Sequence, residues 1–221
     1  MKQNLDLTAR TEPRRLLVTL ILAAFLIAMT FTPLGFLQIG VISMSLLTIP
    51  VAVGAALSGV LPAVLLGLLF GITSFARGFG IDSFCTFICS LSVPRTLILC
   101  LIPRLLTGLF AGLIGQRVKK LGLCSYAVTG FCAACCNSIL YFITMVACFW
   151  HDSAFLAEMT DRGVQTDSVY SLFQSVIGFN CIFEAVIGAS AVFLIGWLMK
   201  RAGMITVVNP FECNQKGILH R

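Results

Sequence analysis

The segment of residues 41–76 constrains the fold of this chain more than any other feature, because it contains no charged residue and is largely apolar. A helix crosses the hydrocarbon core of a membrane with roughly 20 apolar residues, so this segment is too long for a single crossing. Gly59 and Pro62 mark a reversal within it, since glycine permits a tight turn and proline is tolerated in the first turn of a helix. The segment is therefore predicted to form two membrane spans.

The composition of the whole chain agrees with a membrane protein, because 58% of its 221 residues are hydrophobic and 11% are charged. The apolar runs are long and do not alternate with polar residues, which favours helices over a β-barrel. We predict an all-α integral membrane protein with six transmembrane helices, at residues 16–32, 41–57 with a kink at Pro50, 62–76, 96–118, 123–150 and 171–199. Residues 1–15 and 201–221 are predicted tails, residues 16–200 the membrane domain, and residues 77–95 a structured loop at the membrane surface.

The basic residues predict the orientation of these spans, because the cytoplasmic loops of membrane proteins carry an excess of Lys and Arg. Four of them lie in the N-terminal tail, three between spans 4 and 5 and four in the C-terminal tail, whereas three lie in the opposite links. Both termini are therefore predicted to be cytoplasmic, in a multi-pass membrane protein. The basic residues do not form one face, so nucleic-acid binding is not expected.

Three predicted spans contain polar groups that hydrocarbon cannot solvate. Arg104 lies inside span 4, and a charge at the bilayer centre costs several kcal/mol, so such a residue is a functional candidate. Asn180 and Glu184 share a face of span 6, as Asn137 and Tyr141 do in span 5, because each pair is four residues apart. Three readings stay open: an Arg104–Glu184 ion pair that holds the bundle, a polar pocket for a small solute, or a proton relay.

The sequence offers little for catalysis or metal binding. It contains no P-loop, H-E-x-x-H or G-x-S-x-G motif. Most of the ten cysteines lie in apolar segments, and no paired histidines accompany the Cys85/Cys89 or Cys132/Cys135 spacings. We therefore predict no enzyme activity, no catalytic residue, no metal ligand and no cofactor.

Small residues recur four positions apart, which lets two helices approach closely in lipid. The pairs are Gly67 and Gly71, Gly108 and Gly112, and Ala24 and Ala28. The glycine pairs are expected to pack within the chain. Span 1 has few polar side chains, so its alanine pair is a candidate contact with another subunit.

Residues 32–75, "TPLGFLQIGVISMSLLTIPVAVGAALSGVLPAVLLGLLFGITSF", resemble the first half of the substrate-binding S components of energy-coupling factor (ECF) vitamin transporters. The stretch "IPRLLTGLFAGLI" at residues 102–114 and the "N..FE" at residues 180–184 are similar to the same family. The resemblance covers residues 16–200. It implies a six-helix S-component bundle in the bacterial cytoplasmic membrane, which captures a water-soluble vitamin from outside and has no ATPase activity of its own.

The resemblance also implies partners and site residues. Transport requires a transmembrane T component, which Ala24 and Ala28 on helix 1 would contact, and two cytoplasmic ATPases. The family pattern assigns Phe36, Gln38, Arg77, Asp82 and Arg95 to a lid, and Arg104, Asn137, Tyr141, Asn180 and Glu184 to the pocket. The "IPR" of span 4 is most similar to pantothenate-type members, which would use Arg104 for the carboxylate. Riboflavin and a thiamine precursor remain alternatives.

Two other function classes stay open from the sequence. One is a stand-alone secondary transporter in which Glu184 couples transport to protons, a class in which inverted repeats are common. The other is an intramembrane enzyme with a nucleophile beside a base. The sequence shows no convincing internal repeat and no such pair of residues.

Overall fold

The computed structural model describes the backbone of residues 2–32, 35–37 and 44–203, and their side chains except those of residues 2–14, 37, 44 and 179. Its elements are α1 (Lys2–Thr30), β1 (Phe36–Leu37), β2 (Met44–Ser45), α2 (Thr48–Ser58), α3 (Val60–Arg77), α4 (Ser83–Leu91), α5 (Val93–Arg117), a 3₁₀ turn (Val118–Leu121), α6 (Cys124–Phe149), α7 (Ser153–Asp161), α8 (Val169–Val176) and α9 (Gly178–Arg201). The strands form one short antiparallel pair, in which Phe36 lies opposite Ser45.

Within the described residues, four helical segments are long and apolar enough to cross a membrane. These segments are Val60–Arg77, Val93–Leu121, Cys124–Phe149 and Val169–Arg201. Many large apolar side chains on them are exposed, among them Leu61, Ile72, Ile143, Ile182 and Val186. Contiguous exposed apolar surface is typical of a protein that lies in lipid. The prediction of a helical protein with helices suited to a membrane is therefore confirmed for these four segments, whereas the six spans and the sides of the termini stay predictions.

The bundle is built on three helix pairs: α3 with α5, α5 with α6, and α6 with α9. In two of these pairs, glycines allow the helices to come close together. A side chain at Gly67 would collide with the carbonyl oxygen of Arg104, and one at Gly108 would collide with that of Ala63, so α3 and α5 touch backbone to backbone. Gly130 on α6 and Gly188 on α9 meet in the same way. Close approach through small residues is how helices pack where lipid offers no hydrophobic driving force between them.

The second predicted span begins later than the sequence suggested. A helix from residue 41 with a kink at Pro50 is wrong, because β2 occupies residues 44–45 and α2 starts at Thr48. Pro50 lies in the first turn of α2, where its missing N–H leaves no hydrogen bond unmade. The 11 residues of α2 extend only about 16 Å, so α2 is short for a span. Gly59 does make the predicted reversal into α3, with a φ of 99°.

Two predicted links contain helices, and one predicted span is divided. Asp82 caps α4 by accepting a hydrogen bond from the Cys85 N–H, and Asp152 caps α7. The last predicted span, residues 171–199, was expected as one helix. The structure instead begins α8 at Val169, with a capping box between Ser168 and Ser171, and separates it from α9 at Ile177. This division places the start of α9 beside the ends of α3 and α6.

Candidate functional site

A cavity of about 90 Å³ lies at one end of the bundle, where α3 and α6 end and α5 and α9 begin. It is well above the roughly 10–15 Å³ that one water molecule needs. Its walls combine aromatic rings with polar groups from β2, α3, α5, α6, α9 and the link before α4. The polar lining consists of Ser45, Ser74, Arg77, Asp82, Arg104, Asn137, Ser138, Tyr141, Asn180 and Glu184. All five predicted pocket residues, Arg104 of span 4 and the four on spans 5 and 6, therefore line this cavity.

The residue before Arg104 explains how the arginine is held inside the bundle. Pro103 has no N–H, so it cannot make the helical hydrogen bond to the carbonyl of Leu99 four residues earlier. Arg104 supplies the missing donor, because its Nη1 donates to the Leu99 oxygen at 2.6 Å. Its guanidinium also lies 4.6 Å from the ring centroid of Tyr141 and 5.4 Å from that of Phe70, distances at which a cation is attracted to a ring.

The guanidinium of Arg104 is only partly satisfied by these contacts. The residue is 7% exposed, and its Nε has no hydrogen-bond partner among the described residues. Three further buried atoms of the cavity wall share this property: Asn137 Oδ1, Ser45 Oγ and Ser74 Oγ. Buried polar atoms in native structures are usually paired with protein groups or ordered water, so these four atoms are the candidate contacts for a polar molecule in the cavity.

Glu184 is held by hydrogen bonds within the protein. Its Oε1 accepts from the backbone N–H of Ser45 at 2.7 Å, and its Oε2 accepts from the Ser138 hydroxyl at 2.7 Å. In the described part of the chain, Arg104 and Glu184 form no ion pair with each other, and ion pairs join other residues. The Arg104–Glu184 ion pair that the sequence left as one of three hypotheses therefore does not hold these two residues in place.

Arg77 joins three elements at the rim of the cavity. Its Nη1 donates to the Thr30 carbonyl at 2.9 Å, at the end of α1. Its guanidinium lies 3.8 Å from the Phe36 ring centroid on β1, and its Nη2 lies 3.6 Å from Asp82 Oδ2 before α4. The predicted grouping of Phe36, Arg77 and Asp82 at one edge of the pocket agrees with this geometry.

Two predicted lid residues are not part of the described cavity. Arg95 points to a separate surface cleft, where its Nη1 lies 3.5 Å from Asp152 Oδ2. Gln38 lies outside the described residues. The predicted partner residues Ala24 and Ala28 are both exposed on α1, whereas Leu26 of the same helix is fully buried.

Several residues that line the cavity were not predicted from the sequence. Ser138 follows Asn137 directly, and Cys100 lies one turn before Arg104, so helical spacing could have found both. Ser45 and Ser74 lie in segments without a distinguishing pattern, and no sequence signal indicated them. Cys85 of α4 also lines the cavity and contacts Cys100. The pKa of Cys85 is raised, because the hydrogen bond with Cys100 and burial both disfavour the thiolate.

The residue types that line the cavity limit which ligands it can bind. No group of three or more His, Cys, Asp or Glu in the described part of the chain is arranged to hold a metal ion. Arginine, amide and hydroxyl groups instead suit an organic anion with hydroxyl or amide groups. No protein-family model and no curated protein matches this chain. The cavity and the sequence resemblance are therefore the support for a functional proposal.

Proposed function

We propose that this protein is a membrane-embedded binding subunit for a small carboxylate-bearing solute, the S component of an ECF-type importer. One observation carries the proposal: Arg104 Nε and Asn137 Oδ1 line the same cavity, are buried, and have no partner among the described residues. A buried donor and a buried acceptor on facing helices need a solute that satisfies both.

The chemistry of Arg104 favours a carboxylate. Because Nη1 is engaged by Leu99, the Nε side of the guanidinium remains for the solute. Nε and Nη2 together form an edge that matches the two oxygens of a carboxylate. Pantothenate is the first choice, since it adds hydroxyl and amide groups for Asn137 and Asn180, and riboflavin or a thiamine precursor comes next.

The placement of charges supports an outward-facing site. Arg117, Lys119 and Lys120 lie where α5 ends, and Lys200 and Arg201 lie where α9 ends, so all five are at the end of the bundle opposite the cavity. Cytoplasmic loops of membrane proteins carry an excess of basic residues, so we assign that end of the bundle to the cytoplasm. In the proposed arrangement of six spans with cytoplasmic termini, the cavity opens to the outside of the cell membrane.

The proposed partners are a transmembrane T component and two cytoplasmic ATPases, because the chain has no nucleotide-binding motif. Ala24 and Ala28 are exposed on α1 and would form the contact with the T component. Transport then follows from reorientation of the loaded bundle against that partner. ATP hydrolysis on the remote subunits would reset the assembly.

Co-purification tests this assignment. The tagged chain, expressed in its native host and solubilised in mild detergent, is expected to bring down two ATPases and one polytopic membrane protein. Replacement of Ala24 or Ala28 by Trp should abolish this capture, whereas Leu61→Trp on the exposed face of α3 should not. Absence of ATPases with the wild-type chain would exclude an S component. Proton-driven uptake by the chain alone in liposomes would favour the secondary transporter.

The bound solute can be identified directly. Native mass spectrometry of the purified chain should detect a carboxylate of vitamin size, released on denaturation. The same preparation of Arg104→Met should lack it. A co-purified molecule without an acidic group would contradict the role proposed for Arg104.

A further inference from the structure

Buried hydroxyl groups in this bundle commonly donate their hydrogen to a backbone carbonyl three or four residues earlier in the chain. Thr107 and Thr129 each donate to the carbonyl four residues before them at 2.7 Å. The other buried hydroxyls that form such a bond are those of Thr30, Thr48, Thr73, Thr96 and Ser125. A hydroxyl that is bonded to the backbone in this way is satisfied within the protein.

Ser45 and Ser74 depart from this pattern. The two residues are 4% and 5% exposed, and neither Oγ has a hydrogen-bond partner among the described residues. Both residues line the cavity. Because an unpartnered buried hydroxyl is costly, the coincidence of these two exceptions with the cavity indicates that a molecule in the cavity completes their hydrogen bonds.

Contacts of other atoms position both serines beside Phe36. Ser45 lies opposite Phe36 in the β1–β2 pair, so the two side chains leave the strands on the same face. The backbone N–H of Ser45 donates to Glu184 Oε1 at 2.7 Å, which holds β2 against α9. Ser74 lies one turn before Arg77, whose guanidinium is 3.8 Å from the centroid of the Phe36 ring. The two hydroxyls take no part in these contacts.

Ser74 lies closer to the rim of the cavity than Arg104 does. Gly67 of α3 faces the backbone carbonyl of Arg104 on α5. Further along α3, Gly71 faces the carbonyl of Cys100, so the two helices run antiparallel. Ser74 follows Gly71 by one further turn, or about 4.5 Å of helix. A solute whose carboxylate is bound by Arg104 would therefore extend its other end towards Ser74.

We propose that Ser45 and Ser74 are specificity-determining residues whose hydroxyls bind a hydroxyl group of the solute, so that the site selects hydroxylated carboxylates over their deoxy analogues. This inference rests on the proposed function for the carboxylate at Arg104. A solute hydroxyl both donates and accepts, so it can accept from one serine and donate to the other. A hydrocarbon group in its place leaves both serines unpaired, and sites built to bind a hydroxyl reject analogues that lack it.

Three probes separate this selection from recognition of the carboxylate. They are pantothenate, its analogue with hydrogen in place of both hydroxyls, and panthenol, in which an alcohol replaces the carboxylate. Calorimetry on the protein in nanodiscs should show a preference for pantothenate over the deoxy analogue of about 10-fold or more, since an unmade buried hydrogen bond weakens binding by roughly that factor. Equal affinity for these two would overturn the proposal. Equal affinity for pantothenate and panthenol would count only against the carboxylate at Arg104.

Variants of the two serines assign the preference to their hydroxyls. The double variant Ser45→Ala, Ser74→Ala should reduce the preference at least several-fold, because it leaves no unpaired hydroxyl that the solute must satisfy. Ser90→Ala is the matched control, since this exposed serine of α4 donates to the carbonyl of Phe87, and it should keep the wild-type preference. An undiminished preference in the double variant would overturn the proposal.

Thermal unfolding of solute-free protein tests the premise without any probe. Ser125→Ala removes a buried hydroxyl that donates to the Gly122 carbonyl at 2.7 Å, so the melting temperature should fall by about 2–4 °C. Ser45→Ala and Ser74→Ala should not lower it, because their hydroxyls have no described partner. A decrease equal to that of Ser125→Ala would show that these hydroxyls are bonded within the protein, which overturns the proposal. If none of the three probes binds, a solute without a hydroxyl group in native mass spectrometry has the same consequence.

Discussion

The two ends of the same bundle are built differently. Towards the basic end, α3 and α5 touch through Gly108 and Gly112, and a side chain at either position would run into the backbone of the facing helix. Towards the other end, one turn before Gly108, α5 carries Arg104, and the helices enclose a cavity lined by polar groups. The basic end is closed by small residues, whereas at the other end the close contact of α3 with α5 at Gly67 borders a cavity whose side chains have incomplete hydrogen bonds within the described chain.

This difference indicates how a membrane bundle can hold a polar site. The hydrophobic effect does not drive helices together in lipid, so the packed end must supply the contacts that fix the helices. The polar end can then keep buried atoms such as Arg104 Nε without a protein partner. The comparison predicts that substitutions at the packed end affect folding, whereas substitutions at the cavity end affect binding.

The largest effect is expected for Gly108→Val. The new side chain would collide with the Ala63 carbonyl and push α3 away from α5, and overpacking of this kind costs about 1–3 kcal/mol or more. We expect a clear loss of thermal stability in detergent. Gly178→Val is the matched control, because no other part of the described chain lies within 4 Å of a Cβ at that position. Equal stability of the two variants would contradict the packed-end interpretation.

Arg104→Met should give the next largest effect, on binding. It removes charge-assisted hydrogen bonds, each worth about 1.5–3 kcal/mol, so solute affinity should fall roughly 10- to 150-fold. Arg104→Lys should lose most of the same affinity, because an ammonium group has no planar edge for a carboxylate.

The control for this prediction is the stability of each Arg104 variant, measured by thermal unfolding in detergent. Arg104→Met leaves the Leu99 carbonyl without its donor, at a cost of about 1–3 kcal/mol, and the bundle should still fold. Collapse of the fold together with binding would show that Arg104 is a structural residue.

A smaller effect is expected from oxidation of the thiol pair Cys85 and Cys100. Diamide takes up two electrons and two protons as the two thiols form one disulfide, which would join α4 to α5. Both sulfurs line the cavity, so the bond should draw α4 inward and lower solute affinity several-fold. The readout is a mass decrease of about 2 Da that Cys85→Ser abolishes. Full oxidation with unchanged affinity would place the pair outside the binding surface.

Local sequence signals recovered much of the fold and part of the site. Gly59 predicted the reversal between α2 and α3, and the apolar runs predicted α3, α5 and α6. Both signals are local, because span length and turn type depend on residues that are adjacent in the sequence. Arg104, Asn137 and Glu184 were found since charged and amide groups are costly in lipid. The partner of Arg104 was also encoded locally, because Pro103 frees the Leu99 carbonyl four residues before it.

Other features depend on contacts between distant residues and were not predictable. Ser45 lies 139 positions from Glu184 and binds it through its backbone N–H, a group that every residue except proline carries. The late start of α2 follows from the pairing of β1 with β2, two strands too short to show a periodicity. The family pattern assigned Arg95 to the lid because of the loop in which it lies, but its partner Asp152 lies on a different link.

Arg95 gives the smallest predicted effect and the sharpest test of the boundary of the site. Its side chain is 51% exposed and its ion pair with Asp152 spans 3.5 Å, and exposed pairs contribute about 0–1 kcal/mol. Asp152 would still cap α7 through the N–H groups of Ala154 and Phe155. Arg95→Met should therefore change solute affinity less than twofold, as measured by calorimetry on protein in nanodiscs beside Arg104→Met. If the two variants lost affinity equally, the solute would reach beyond the cavity to the rim, and the charge of Arg95 would belong to the site.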